Sequence, residues 1–181
     1  MKRQLLVVFL FVIALLSVTG SGLAREGAPA RTEAGASTTT LYATADAWVD
    51  AAAPDTNYGT YDQLSAGQIN HRYRNILVLF DLSSVPRGSH IDAAYLELYE
   101  IVNLQAAGID ARDDVLNLHA SRLDADWSET RVTWNNQPAA TALGDPPTNV
   151  YEGELWKRID VTRIMRSLIS NGDRNFGILV S

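Results

Sequence analysis

Apolar and polar positions alternate along much of this chain. Ile91 to Ile101 reads IDAAYLELYEI, with Leu96 and Leu98 separated by Tyr95, Glu97 and Tyr99. A period of two is the mark of a strand with one buried face. Val115 to Ala120 repeats it, with Leu116 and Leu118 on one side and Asn117 and His119 on the other. Asn75 to Leu82 reads NILVLFDL, a continuous apolar run that predicts a strand covered on both faces. Leu41–Val49, Arg131–Trp134, Leu155–Val161 and Phe176–Val180 complete a set of short predicted strands. Between them lie turn residues, such as Pro54-Asp55, Asn57-Tyr58-Gly59 and Pro86-Arg87-Gly88. Asp160–Ser170 instead places Val161, Ile164, Met165, Leu168 and Ile169 near a helical period. Asp160 or Thr162 is placed to cap its start, and Asn171-Gly172 its end. Many short strands and one helix argue for an all-β sandwich.

The first residues follow a different rule. Met1-Lys2-Arg3-Gln4 precedes an unbroken apolar run, Leu5 to Leu16, and small residues follow to Ala24. A basic start, a short apolar middle and a small-residue end are the layout of a secretory signal. Gly22-Leu23-Ala24 places cleavage after Ala24. The run is short of the roughly 20 residues that span a bilayer, so residues 1–24 are read as a signal peptide rather than an anchor. The processed protein is then secreted, with no membrane span. Residues 25–40, REGAPARTEAGASTTT, lack any apolar period and read as a flexible linker. The folded domain is expected over 41–181.

Composition narrows the function. The 181 residues suit one domain, and 46% hydrophobic with 20% charged residues describe a chain able to bury a core. There is no cysteine, which removes disulfide frameworks, thiolate metal sites and cysteine nucleophiles. The three histidines, His71, His90 and His119, show no zinc-protease spacing. A net charge of −6 argues against nucleic acid as the partner.

A series of phrases then falls in order: ADAWVD (Ala45–Asp50), PDTNYG (Pro54–Gly59), LFDLS (Leu79–Ser83) and AYLELY (Ala94–Tyr99). DWSE (Asp126–Glu129), VTWNNQP (Val132–Pro138), IDVT (Ile159–Thr162) and NFGIL (Asn175–Leu179) follow. Together they resemble the bacterial DNRLRE-domain family, which overlaps carbohydrate-binding module family 96. The resemblance covers roughly residues 41–181. It implies a jelly-roll-like antiparallel β-sandwich and a secreted, non-catalytic module that binds polysaccharide. Such modules are often joined to polysaccharide-degrading enzymes or repeated in larger surface proteins, and alginate binding is known for some members. Members of the family usually continue beyond the FGIL-type strand to a closing strand, whereas this sequence stops at Ser181. The expectation is a missing last strand and, beside its place, an exposed sheet edge.

Sugar rings pack their C–H faces on aromatic rings, while carboxylates, amides and guanidinium groups bond the hydroxyls. Tyr95, Glu97 and Tyr99 share one face of a strand and are candidates for such a platform. Trp156, followed by Lys157-Arg158, would flank a mixed aromatic and basic surface. Asn70 to Asn75 reads NHRYRN, the most basic loop of the chain, and makes Arg72, Tyr73 and Arg74 candidates for an acidic polysaccharide such as alginate. Because the whole chain is acidic, any such contact must be local. Trp127 and Trp134 lie inside the shared phrases and read as scaffold. Sandwich modules of this kind often hold a structural Ca2+, so the acidic clusters Asp46, Asp50, Asp55 and Asp110, Asp113, Asp114 are candidate ligands, the first favoured.

Two other classes compete. A structural or adhesive surface module would use the same fold without affinity for free sugar. An enzyme would need a working pair, such as Asp126 with Glu129, Glu97 with Glu100, or His119 with Tyr95 or Tyr99. Carboxylate pairs are common in any acidic chain, so the reading is a binding module and not an enzyme.

Overall fold

The computed structural model describes residues 11–16, 37–69, 72–99, 116–150 and 156–181. In chain order the strands are β1 (Phe11–Leu16), β2 (Ser37–Leu41), β3 (Ala43–Asp50), β4 (Gly67–Ile69), β5 (Arg72–Phe80) and β6 (Ala93–Tyr99). They continue with β7 (Leu116–Leu118), β8 (Ala120–Leu123), β9 (Ala140–Thr141), β10 (Thr148–Val150), β11 (Trp156–Asp160) and β12 (Ile178–Val180). Among the described residues there is a single helical segment, α1 (Thr162–Met165), which runs on into a π-helical turn over Arg166–Ser170.

Among the described residues all strand pairs are antiparallel. One sheet has the order β11-β6-β1-β2, and a larger one the order β3-β5-β12-β8-β9. β4 pairs with the start of β5, on the edge that β12 uses further along. β7 and β10 form a small separate pair. This is the expected all-β sandwich with one short helix.

Two apolar layers hold it together. The first lies between the sheets. It joins Ile76, Val78 and Phe80 of β5 and Ile178 and Val180 of β12 to Ala94, Leu96 and Leu98 of β6 and Ile159 of β11. Val161, Ile164, Met165, Leu168 and Ile169 of the helical segment close it. The second lies on the other face of the larger sheet, where Ala47, Val49, Leu77, Leu123, Val132 and Leu179 pack with Trp127, Trp134, Ala140 and Phe176. The cover is largely the long connection between β8 and β9. This explains the continuous apolar run of β5: Ile76 and Val78 serve one layer and Leu77 the other. β12 is buried at all three positions for the same reason.

The cover is held by amides. Asn57 Nδ2 donates to the carbonyls of Glu129 at 2.8 Å and Val132 at 2.6 Å. Asn75 Nδ2 donates to Gln137 Oε1 at 3.0 Å, and Trp127 Nε1 donates to the Phe176 carbonyl at 2.8 Å. Asn136 Oδ1 accepts from the Thr133 N–H while its Nδ2 donates to the Arg131 carbonyl. Residues 131–134, expected as a strand, are therefore not one. Their backbone groups bond to side chains and turns, which removes the need for a ladder.

Other boundaries moved for similar reasons. The expected strand Leu41–Val49 is two strands, with β2 in one sheet and β3 in the other. Residues 72–74, expected in a loop before the strand from Asn75, begin β5; all three pair with β4 and Arg74 also pairs with β3. The helical segment covers Thr162–Ser170, close to the expected Asp160–Ser170, but only its first four residues are α-helical and the rest is a π-helical turn. Asp160 Oδ1 accepts from the Thr162 N–H, and Asp145, from a distant loop, takes the N–H groups of Arg163 and Ile164. Of the apolar run read as part of a leader, Phe11–Leu16 forms β1, and β2 begins within the segment read as linker. The expected cleavage point, most of the linker, His71, Glu100 and the Asp110, Asp113, Asp114 cluster lie outside the described residues.

Candidate functional site

Strand β6 alternates without a break. Ala94, Leu96 and Leu98 are buried, and Tyr95, Glu97 and Tyr99 lie half-buried on the opposite face. β11 lies beside it in a register that sets Trp156 opposite Tyr99, Arg158 opposite Glu97 and Asp160 opposite Tyr95. Opposed residues of an antiparallel pair share a face. Four of the sequence candidates, Tyr95, Glu97, Tyr99 and Trp156, thus come together on the outer face of one sheet, joined by Arg158.

The contacts across this face are specific. Tyr99 and Trp156 meet edge to face, with centroids 5.0 Å apart and planes at 70°. Trp156 is 44% exposed despite its size. The Arg158 guanidinium lies 3.7 Å above the Tyr95 ring, and its Nε stands 3.6 Å from Glu97 Oε1. Arg158 entered the sequence reading only together with Lys157 as a basic neighbour of Trp156, not as a site residue of its own. The signal was the strand period itself: Lys157 falls on the core side, 6% exposed, and Arg158 on the outer side. The face therefore offers an exposed Trp156 ring beside a half-buried Tyr99 ring, a cation and a carboxylate, on strands whose other side is core.

The basic candidates of β5 lie elsewhere, on the larger sheet. Tyr73 is exposed at 52%. Arg74 is committed to its own surroundings. Its Nε donates to Asp50 Oδ2 at 3.0 Å, its Nη1 to Ser65 Oγ at 3.1 Å, and its guanidinium stands 5.2 Å from the Trp48 centroid. Trp48 also stacks on Tyr58, with centroids 3.8 Å apart, and meets Tyr61 edge-on. Arg72 enters the ladder opposite Ile69.

The three favoured acidic residues also have separate surroundings. Asp50 is buried, pairs with Arg74 and accepts from the Ala52 N–H. Asp55 is exposed and accepts from Asn135 Nδ2 at 2.7 Å. Asp46 lies near Glu129, whose Oε1 accepts from the Asp46 backbone N–H. Burial first, and the Glu129 charge second, push the Asp46 carboxyl above the ordinary carboxylate value. Among the described residues no group of three His, Asp or Glu side chains is close enough together to hold a metal ion.

The fold is an antiparallel β-sandwich, and one face of its smaller sheet brings aromatic and charged side chains together over the core. The match to known families is specific. The family model of carbohydrate-binding module family 96 fits residues 37–181, and the chain belongs to that family. It is a carbohydrate-binding module. A comparison with curated proteins finds no match.

Proposed function

We propose that this chain is a secreted polysaccharide-binding module, and that the polymer lies on the outer face of β6 and β11. The observation that carries the reading is the convergence of half-buried Tyr95, Glu97 and Tyr99 with exposed Trp156 and Arg158 on one face of the sheet. Rings on a rigid sheet bind a sugar chain with little loss of freedom, because two strands already hold them in place. Glu97 and Arg158 supply an acceptor and donors for hydroxyl groups that would otherwise remain unpaired.

An acidic polymer such as alginate fits Arg158. A uronate carboxylate can replace Glu97 as the partner of the guanidinium, and its sugar face can cover Trp156 or Tyr99. Arg74 supports this less, since Asp50 and Ser65 already occupy it. Tyr73, exposed on the larger sheet, would serve only a second contact. In a larger multi-module protein such a face would keep a partner domain on its polymer.

The test is affinity electrophoresis of the purified chain in gels containing alginate, pectin, cellulose, xylan, chitin or a neutral glucan. Each gel is run with and without a calcium chelator. Retardation by alginate and pectin above the neutral polymers is the expected result, and it should weaken in Arg158→Ala. Loss of retardation with chelator would bring calcium into the site. A folded chain that no polymer retards would overturn the proposal and favour a structural surface module.

A further inference from the structure

The connection from β8 to β9 holds an open cleft of about 280 Å3, lined by Asp126, Trp127, Ser128, Arg131, Val132 and Asn136. Val132 is buried, Trp127 and Ser128 are half-buried, and Asp126, Arg131 and Asn136 are exposed. Hydrogen bonds fix the frame. The Ser128 carbonyl accepts from the N–H groups of Arg131 at 3.0 Å and Val132 at 2.8 Å. Asn136 Nδ2 donates to the Arg131 carbonyl at 3.0 Å, and Trp127 Nε1 to the Phe176 carbonyl at 2.8 Å. Two charged groups are left over. Among the described residues neither the Asp126 carboxylate nor the Arg131 guanidinium has a hydrogen bond or an ion pair, with the other or with any neighbour. We infer that this cleft is a second carbohydrate site, apart from the face of β6 and β11, and that it takes a uronic acid unit at the end of a chain.

The side chains define the ligand. Other guanidinium groups of this chain are engaged: Arg74 by Asp50 and Ser65, Arg122 by Ser167 and Asp173, Arg166 by the carbonyls of Ile91 and Asp92. Arg131 keeps its donors for a ligand, and their fork matches a carboxylate with two parallel bonds. The Asp126 carboxylate only accepts, so it suits hydroxyl groups and repels a bare anion such as phosphate. A ring that carries both a carboxylate and hydroxyl groups satisfies the two together. Trp127 adds apolar surface for the C–H face of that ring, and it is already held by the layer beneath it. The volume limits the length. At about 280 Å3 the cleft falls just below the usual range of small-molecule sites, about 300–1,000 Å3, so roughly one or two sugar rings fit. It stands over the outer layer of the larger sheet, whereas Trp156 and Tyr95 face out from the smaller one. The two places are therefore on opposite sides of the sandwich. The inference rests on the carbohydrate binding of the family, not on the face of β6 and β11.

The experiment is titration calorimetry of the purified chain with the trimers of galacturonic and mannuronic acid, with cellotriose as the neutral equivalent and with inorganic phosphate. Trp156→Ala is the background, because it removes the exposed ring of the other face and leaves the cleft intact. The expected result in that background is binding of a uronate trimer about tenfold or more tighter than cellotriose. Adding Arg131→Ala should weaken it by about tenfold or more, and adding Arg131→Lys by less, since the charge stays and the fork is lost. Asp126→Asn should weaken both the uronate and the neutral trimer. Urea midpoints check that the variants fold, and Arg131→Gln repeats the test if Arg131→Ala lowers the midpoint. A Trp156→Ala chain that binds neither uronate trimer would overturn the inference. So would uronate binding that the Arg131 variants leave unchanged, or phosphate binding as tight as the uronate. The affinity lost between the parent and Trp156→Ala tests the face of β6 and β11, so the two readings fail separately.

Discussion

Trp156 is exposed because of its place in a period of two. Lys157 and Ile159 fill the core side of β11, and the alternation leaves Trp156 and Arg158 outside. Such a residue contributes little to stability, so its loss should be read in binding alone. Trp156→Ala is expected to weaken polysaccharide binding about tenfold, equivalent to ~1.4 kcal/mol. Its urea midpoint should stay close to the parent's, since surface changes cost within about 0.5 kcal/mol. Titration calorimetry and urea unfolding check the two halves; a large fall in stability with unchanged affinity would make Trp156 scaffold. Asp46 behaves in the opposite way. Its carboxyl is held above the ordinary value of 3.8 by burial and by Glu129. For a raised carboxyl, protonation favours the folded state. That contribution is full below the unfolded value and is lost as pH rises through the folded one. Asp46→Asn should therefore be more stable than the parent at neutral pH, with the gap closing as pH falls toward about 4. Urea midpoints at the two pH values measure it, and an equal gap at both would refute the assignment. Both roles were only half visible in the sequence. The outward face of Tyr95, Glu97 and Tyr99 follows from alternation. The pairing of Arg74 with Asp50 brings together residues far apart in the chain, and nothing local announces it.

At the scale of elements, β5 and β12 are the shared wall between two apolar layers. The apolar run of β5 made its double burial readable, because no strand with a solvated face can be apolar at every position. The conformation of VTWNNQP was less readable. Its Val, Thr and Trp have the composition of a strand, yet its backbone bonds to amides. Just before β12 the chain depends on Gly177. That residue has φ +99°, and a Cβ there would stand 2.3 Å from the Val78 carbonyl oxygen. Gly177→Ala combines a strained backbone with a clash against β5. It should cost about 2 kcal/mol or more, seen as a lower Tm by calorimetry. An unchanged Tm would mean that β12 can move away from β5, against its place as the central strand.

At the scale of the whole molecule, the two layers should unfold as one unit, because they share the same strands. Leu123 is fully buried in the outer layer, away from the layer between the sheets. Leu123→Ala is expected to cost about 2–5 kcal/mol and to leave a single calorimetric transition. Two transitions would show that the connection over the larger sheet is a separate unit. The sequence alone determined what depends on near neighbours: alternation in β6, double burial in β5, the turns, and the −6 charge that limits the partners. The ordered phrases that mark the family also lie in the linear chain. Only the tertiary structure decided which strands meet. It set β11 beside β6 so that Trp156 faces Tyr99, sent Arg74 to Asp50, and placed β1 between β2 and β6. The reason is physical. A period of two is a property of the backbone at each residue, whereas register and strand order are settled by the packing of distant segments into common layers.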